Sequence, residues 1–325
     1  YKAIEQKQPE AVPPIFLRGH IEAQRGNLAE AKAAYEEVLK RQPDMPAAIN
    51  ELLNVYLQEK DAEGALEIIK PAIARQPKSA QLQLLKAKVH LQQKDLEQAE
   101  TALLQAQELD PGIQATYLLL AQIRKATGKS PEALALLEKS LKNNPDDLAT
   151  FMQLATLHSS LGDHKEAARY CREALRVSPD LLFVLNDLAA LLEEHLDELD
   201  EAFELAQKAR KLAPENPLVA DTLGWIVFRR GDFSYALDLI EEAAGQLGDQ
   251  AIVQYHLACV HYAMANGTAA AKSFERALQI NPKFRLAEDV NQRLAVLAVD
   301  PAGDPDRAGA ILKPVLNQRP DDMMA

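Results

Sequence analysis

Small apolar positions recur along this chain every 34 residues, with one interval of 35 and a last one of 38. The first series is Ala31, Ala65, Ala99, Ala133, Ala167, Ala202, Ala236, Ala270 and Ala308. A second series precedes it by about the length of one short helix: Gly19, Leu53, Ala87, Ala121, Ala155, Ala189, Gly224 and Ala258. Only Leu53 in that series is not small. Two helices approach closely only where a side chain is short. One small residue on each of two adjoining segments therefore predicts antiparallel helix pairs, repeated from one end of the chain to the other.

Punctuation runs in step with the small positions. Pro9, Pro43, Pro77, Pro111, Pro145 and Pro179 stand 34 residues apart. Pro214 follows after one extra residue, then Gly248 in place of a proline, then Pro282 and, after a longer interval, Pro320. Proline ends the second helix of each pair, because it cannot continue a helix and restrains the residue before it. Within each pair a turn is marked by Arg25-Gly26-Asn27, Thr127-Gly128-Lys129, Leu161-Gly162-Asp163 and Arg230-Gly231-Asp232. Glycine there accepts the left-handed backbone of a helix C-terminus.

A 34-residue helix–turn–helix with this signature resembles the tetratricopeptide repeat. In that register, repeats start near Val12, Pro46, Ala80, Gln114, Leu148, Leu182, Pro217, Ala251 and Arg285, the last degenerate around Val299 to Asp306. Residues 12–322 are then one solenoid. Residues 1–11 read as a second-helix remnant of a preceding repeat, with Tyr1 where Tyr35 and Phe274 fall in theirs. The resemblance implies an all-α fold, a right-handed superhelix of antiparallel helix pairs, and more repeats upstream of Tyr1.

Composition agrees with an all-helical chain and narrows its partners. Ala, Leu, Glu, Lys and Gln dominate. The 48 acidic and 36 basic residues give a net charge of −12. No basic stripe offers a phosphate backbone its counter-charge, so nucleic acid is not an expected partner, nor is an anionic membrane surface. No apolar run reaches the roughly 18–20 residues of a membrane span. Cys171 and Cys259 lie far apart with no Cys/His cluster near either, which excludes a structural zinc site.

Fragments with a chemical look dissolve in the repeat register. Thr127-Gly128-Lys129-Ser130 resembles the end of a phosphate-binding loop, but the glycine that motif needs at position 123 is Ile123. Arg230-Gly231-Asp232 spells an adhesion tripeptide in the same interhelix turn. His90, His158 and His261 share one repeat position, held by Tyr56 in repeat 2, and read as packing residues. His256 and His261 do not share a helical face well. Acidic pairs such as Glu193-Glu194 and Asp197-Glu198 read as a solvated face. No set of nucleophile, base and orienting group assembles, so neither catalysis nor a cofactor is expected.

Binding is the remaining role. In tetratricopeptide proteins the concave face is lined by positions 2, 5, 9 and 12 of each first helix, and the resemblance carries these onto this chain. Repeats 2 to 4 place mostly polar side chains there, Asn50, Asn54, Gln81, Lys88, Gln122 and Lys125. Repeats 6 to 8 place Phe183, Asn186, Asp221, Trp225, Phe228, Ile252, Tyr255 and Tyr262. Aromatics supply large contact area at low entropic cost, and asparagine pairs with a peptide backbone. The expected occupant is a peptide or helix of a partner protein. Trp225, next to Gly224, fits either a groove role or a packing role. The clamp that grips acidic chaperone tails needs a lysine at position 5 of a repeat; none of the eight clear repeats has one, so that clamp is absent.

A narrower resemblance lies in repeats 6 and 7. Leu185-Asn186-Asp187-Leu188-Ala189, Leu199-Asp200-Glu201-Ala202, Ala213-Pro214-Glu215-Asn216-Pro217 and Asp221-Thr222-Leu223-Gly224-Trp225 are similar to the C-terminal repeats of large bacterial tetratricopeptide proteins. Some of those accompany exopolysaccharide secretion and exosortase gene clusters, which implies a periplasmic or outer-membrane-associated scaffold. A cytoplasmic assembly scaffold and the targeting module of a larger enzyme are the alternatives. An apolar face left open at the N-terminal edge predicts end-to-end self-association.

Overall fold

The computed structural model describes residues 11–299 and 305–318, and all regular structure among them is helical. The chain divides into two compact units, residues 1–157 and 158–325. In the first, α1 (Val12–Gln24) pairs with α2 (Leu28–Arg41) and α3 (Pro46–Gln58) with α4 (Ala62–Arg75). Next come α5 (Ala80–Gln92) with α6 (Leu96–Leu109), α7 (Gln114–Ala126) with α8 (Ser130–Asn143), and α9 (Leu148–Ser160) as far as Leu157.

The second unit holds the end of α9, then α10 (His164–Val177), α11 (Leu182–Leu191), α12 (Leu199–Leu212), α13 (Pro217–Arg229) and α14 (Phe233–Leu247). It continues with α15 (Ala251–Ala263), α16 (Gly267–Ile280), α17 (Ala287–Leu297) and α18 (Pro305–Gln318). The remnant expected over residues 1–11 lies outside the described residues except for Ala11, which is extended (φ −74°, ψ 128°) and precedes α1. Pro320 also lies outside them. The last pair departs from the register: turns run from Pro282 to Leu286, and α17 begins at Ala287 instead of Arg285.

Each pair is built the same way. The alanines of the first series from Ala31 to Ala270 are all buried to within 1% of completely. Opposite them the first helix must also be small. A methyl group added at Gly224 would lie 2.6 Å from Ile240 Cγ1 and 3.1 Å from Leu239 Cβ, both on α14. One added at Gly19 would lie 2.6 Å from the Tyr35 ring. The turn backbone is left-handed at Gly26, Gly128, Gly162 and Gly231, and Lys60, Lys94 and Ala265 take that conformation in other repeats. Asp61, Asp95, Asp163, Asp232 and Asn266 then cap the second helices, each side chain accepting from a backbone N–H three residues on.

One repeat breaks the pattern. The extra residue before Pro214 is absorbed at the end of α11, where Leu192–Leu196 form a π-helical turn closed by Asp197 at φ 55°. An inserted residue turns every later side chain by about 100° around the helix axis, and single π turns of this kind occur frequently at functional sites. Glu193, the second residue of that turn, stands at position 12 of its repeat, where Phe228 and Tyr262 stand in theirs. It is 5% exposed, not part of the solvated acidic face that its sequence neighbourhood suggests.

Candidate protein-binding groove

The second unit brings the first helices of three successive repeats, α11, α13 and α15, around a pocket of about 420 Å³. Ala190, Glu193 and Glu194 come from α11 and its π turn; Asp221, Thr222, Trp225 and Arg229 from α13; Ile252, Tyr255 and His256 from α15. Arg285 and Leu286, just before α17, close the rim. Ala190 and the π turn leave the space, and the aromatic and aliphatic side chains wall it.

Three charge relays organise the polar groups. Asp221 accepts from His256 Nδ1 at 2.9 and 3.0 Å through both carboxylate oxygens. Arg229 donates to Glu193 and, at 3.1 Å, to Asp197. Arg285 donates to Glu194. Burial pushes the Glu193 carboxyl above its ordinary range, and the nearby Arg229 opposes that shift. Tyr255 donates its hydroxyl to Asp289 at 2.9 Å, where Arg293 also donates at 2.8 Å. Burial holds the Tyr255 hydroxyl far above the usual phenol range.

Trp225 is packed and also borders the pocket. Its ring stacks on His256 (centroids 4.2 Å, 17°) and on Phe228 (4.9 Å, 20°). Of the other strip residues, Asp221 and Tyr255 are buried at the pocket. Phe228 is half-buried between Trp225 and Phe233, and Tyr262 is buried edge-on against Phe274. Phe183 stands 46% exposed in the first turn of α11. One turn on, Asn186 keeps a buried Oδ1 without a hydrogen-bond partner. In the first unit, Gln122 borders a separate pocket of about 390 Å³ with Lys125, Met152 and Thr156. Asn50, Asn54 and Lys88 are half-buried on α3 and α5, and Asn50 donates to Glu51 at 3.2 Å.

His256 was not singled out by its sequence context. Its partner lies 35 residues away, one repeat plus one residue, and that spacing is the only trace of the pair in the sequence. His90 is buried with neither ring nitrogen hydrogen-bonded and Asp95 4.0 Å from Nδ1, and His158 approaches Asp163 at 3.3 Å and stacks on Tyr170. Among the described residues no three His, Cys, Asp or Glu side chains converge in a metal-binding arrangement, and no helix is long and apolar enough to cross a membrane.

Comparison with known proteins agrees with the helix-pair architecture. Residues 12–223 match the family described as the cilia and flagella-associated protein 70 C-terminal domain, a tetratricopeptide-type domain, and residues 251–284 match the tetratricopeptide repeat itself. The chain belongs to the tetratricopeptide-repeat family. Among curated proteins there is no match. Of solved structures, these repeats resemble Cut9 in the APC/C Cut9–Hcn1 hetero-tetramer, at 16% identity and a TM-score of 0.56. That likeness covers 86% of this chain and 55% of that one, so the chain spans about half the length of that relative. PilW, a type IV pilus biogenesis factor, is 17% identical with a TM-score of 0.51, over 65% of this chain and 96% of that one. YrrB, whose structure shows an unusual peptide-binding site, is 20% identical with a TM-score of 0.50, over 60% and 100%. At these identities the shared property is the tetratricopeptide fold, a scaffold typical of protein–protein interaction.

Proposed function

We propose that the second unit binds a partner protein without catalysing a reaction, taking a peptide or helix along the face formed by α11, α13 and α15. The observation that carries this is the alignment of the pocket with exposed apolar side chains at one repeat position. Phe183 (46% exposed) and Leu218 (52%) stand free in the first turns of α11 and α13, and Ile252, at the same position of α15, borders the pocket. Large exposed apolar residues beside a walled polar pocket are the anchor-and-rim arrangement of a binding surface. The strip Asn186, Asp221, Trp225, Phe228, Tyr255 and Tyr262 supports and orients that surface. Asn50, Asn54, Lys88 and Gln122 extend the binding role to the first unit.

The test is affinity capture with the full chain and a Phe183→Ala/Leu218→Ala chain of unchanged circular dichroism. Loss of partners with the double variant is expected. Equal recovery by both chains would exclude this face. An envelope setting, in exopolysaccharide or protein export, draws its support from the Leu185 to Trp225 string. Cell fractionation of the natural gene product tests it, and recovery only in the cytosol would exclude it.

A further inference from the structure

The pocket beside Trp225 carries more carboxylate than it neutralises. Glu193, Glu194 and Asp221 face it, against the guanidinium groups of Arg229 and Arg285. Arg229 is further shared with Asp197. The charge on Asp221 meets only an imidazole. The wider field has the same sign, because residues 158–325 hold 27 of the 48 acidic side chains but only 17 of the 36 basic ones.

Two further observations point to what is missing. The first is His256. Its side chain is nine-tenths buried, both Asp221 oxygens lie on Nδ1, and Nε2 has no hydrogen-bond partner among the described residues. That nitrogen is not sealed in the core, and the residue borders the pocket. With Nδ1–H donated to Asp221, the neutral ring presents Nε2 as an acceptor. The second is Arg285. Its side chain is 60% exposed, yet its guanidinium reaches back across 91 residues of sequence to Glu194. The mouth of the pocket thus already receives one guanidinium from a surface loop.

We propose that this pocket takes the cationic side chain of an arginine or lysine from a basic segment of the partner. The proposal rests on the groove reading above and names the chemistry of its central subsite. The ligand cation donates to His256 Nε2 and to Glu193 or Glu194, and its stem lies against Trp225 and Ile252. A guanidinium has five donors in a planar fork, which suits several acceptors around one space. The Arg285 guanidinium stands at the entrance as an exchangeable occupant of Glu194. This preference is opposite in sign to that of the lysine-based clamp for acidic tails, whose key residue this chain lacks.

Trp225 is the chain's only tryptophan, so its emission reports on this pocket alone. The experiment titrates the full chain at pH 8 with acetylated, amidated pentapeptides Gly-Leu-X-Leu-Gly, in which X is arginine, lysine, citrulline or glutamate. Calorimetry provides a second readout. Citrulline keeps the shape and loses the charge. The arginine peptide is expected to bind at least about tenfold more tightly than the citrulline one, the range of a charge-assisted hydrogen bond. Its affinity falls as salt is added. Glu194→Gln weakens it and Arg285→Ala strengthens it; both positions are partly exposed, so the fold tolerates the changes. Equal binding of the arginine and citrulline peptides, or a preference for glutamate, overturns the proposal and leaves the groove reading standing. No response to any of the four peptides also overturns it, and the groove reading is then judged separately by the Phe183/Leu218 capture comparison.

Discussion

Asp221 on α13 holds His256 on α15 through both of its carboxylate oxygens, at 2.9 and 3.0 Å from Nδ1. The pair ties together the first helices of two adjoining repeats. Both side chains are about nine-tenths buried, so neither finds water if the other is removed. Asp221→Asn is expected to cost about 1–3 kcal/mol, the range for a buried polar group left badly paired. Urea unfolding measures it. In a double-mutant cycle with His256→Gln, the second change should then cost less than it does alone.

The Gly224 contact predicts a packing cost. Gly224→Ala pushes a methyl group to 2.6 Å from Ile240 Cγ1, well inside van der Waals distance. A loss of about 1–3 kcal/mol is expected, as for other overpacked cores. Ile240→Ala in the same chain removes that Cγ1, so Gly224→Ala should cost less in its presence than in the parent chain. Thermal melting of the single and double variants checks this.

Arg229→Ala leaves Glu193 buried without its counter-charge. Fully buried pairs lose about 3–5 kcal/mol when broken. Arg229 is 37% exposed, so the lower end of that range is expected. The pH dependence has a definite sign. The folded-state Glu193 carboxyl titrates above its ordinary value of 4.5. Such a group adds stability that is full below 4.5 and is lost as pH rises through the raised folded value. Removing Arg229 enlarges the shift, so the variant's deficit in melting temperature should be smaller at pH 5 than at pH 8.

His90 predicts the opposite slope. Burial, with Lys86 adding to it and Asp95 at 4.0 Å from Nδ1 opposing it, lowers its pKa below the ordinary 6.5, and neither ring nitrogen has a hydrogen-bond partner. The folded chain holds this ring neutral. Its stability contribution is present above 6.5 and is lost as pH falls below 6.5 and through the lowered folded value. His90→Tyr places the residue found at Tyr56 in the same repeat position. Its melting temperature is expected to fall less steeply than the parent's between pH 7 and pH 5.

Several features were legible because they are local. A small residue at a helix crossing, a proline after a helix and a glycine in the turn each act within one repeat, so recurrence makes them visible. The Ala31 series and the turn glycines are of this kind. Glu193 was not legible in the same way. Its neighbours Glu194, Asp197 and Glu198 look like a solvated run and mask its place at an inward repeat position, and the π turn beside it leaves no mark beyond one extra residue. His256 escaped for a related reason: its partner lies in the preceding repeat, and one histidine beside many carboxylates carries no signal of which it meets.

The sequence by itself determined the helix pairs and their close crossings, because the residues responsible act through steric size and backbone geometry over short distances. Only the tertiary structure decided which polar side chains leave water. Burial depends on how three first helices from successive repeats pack, and it is that packing which sets Asp221 on His256, Arg229 on Glu193, and Trp225 between a ring stack and a pocket.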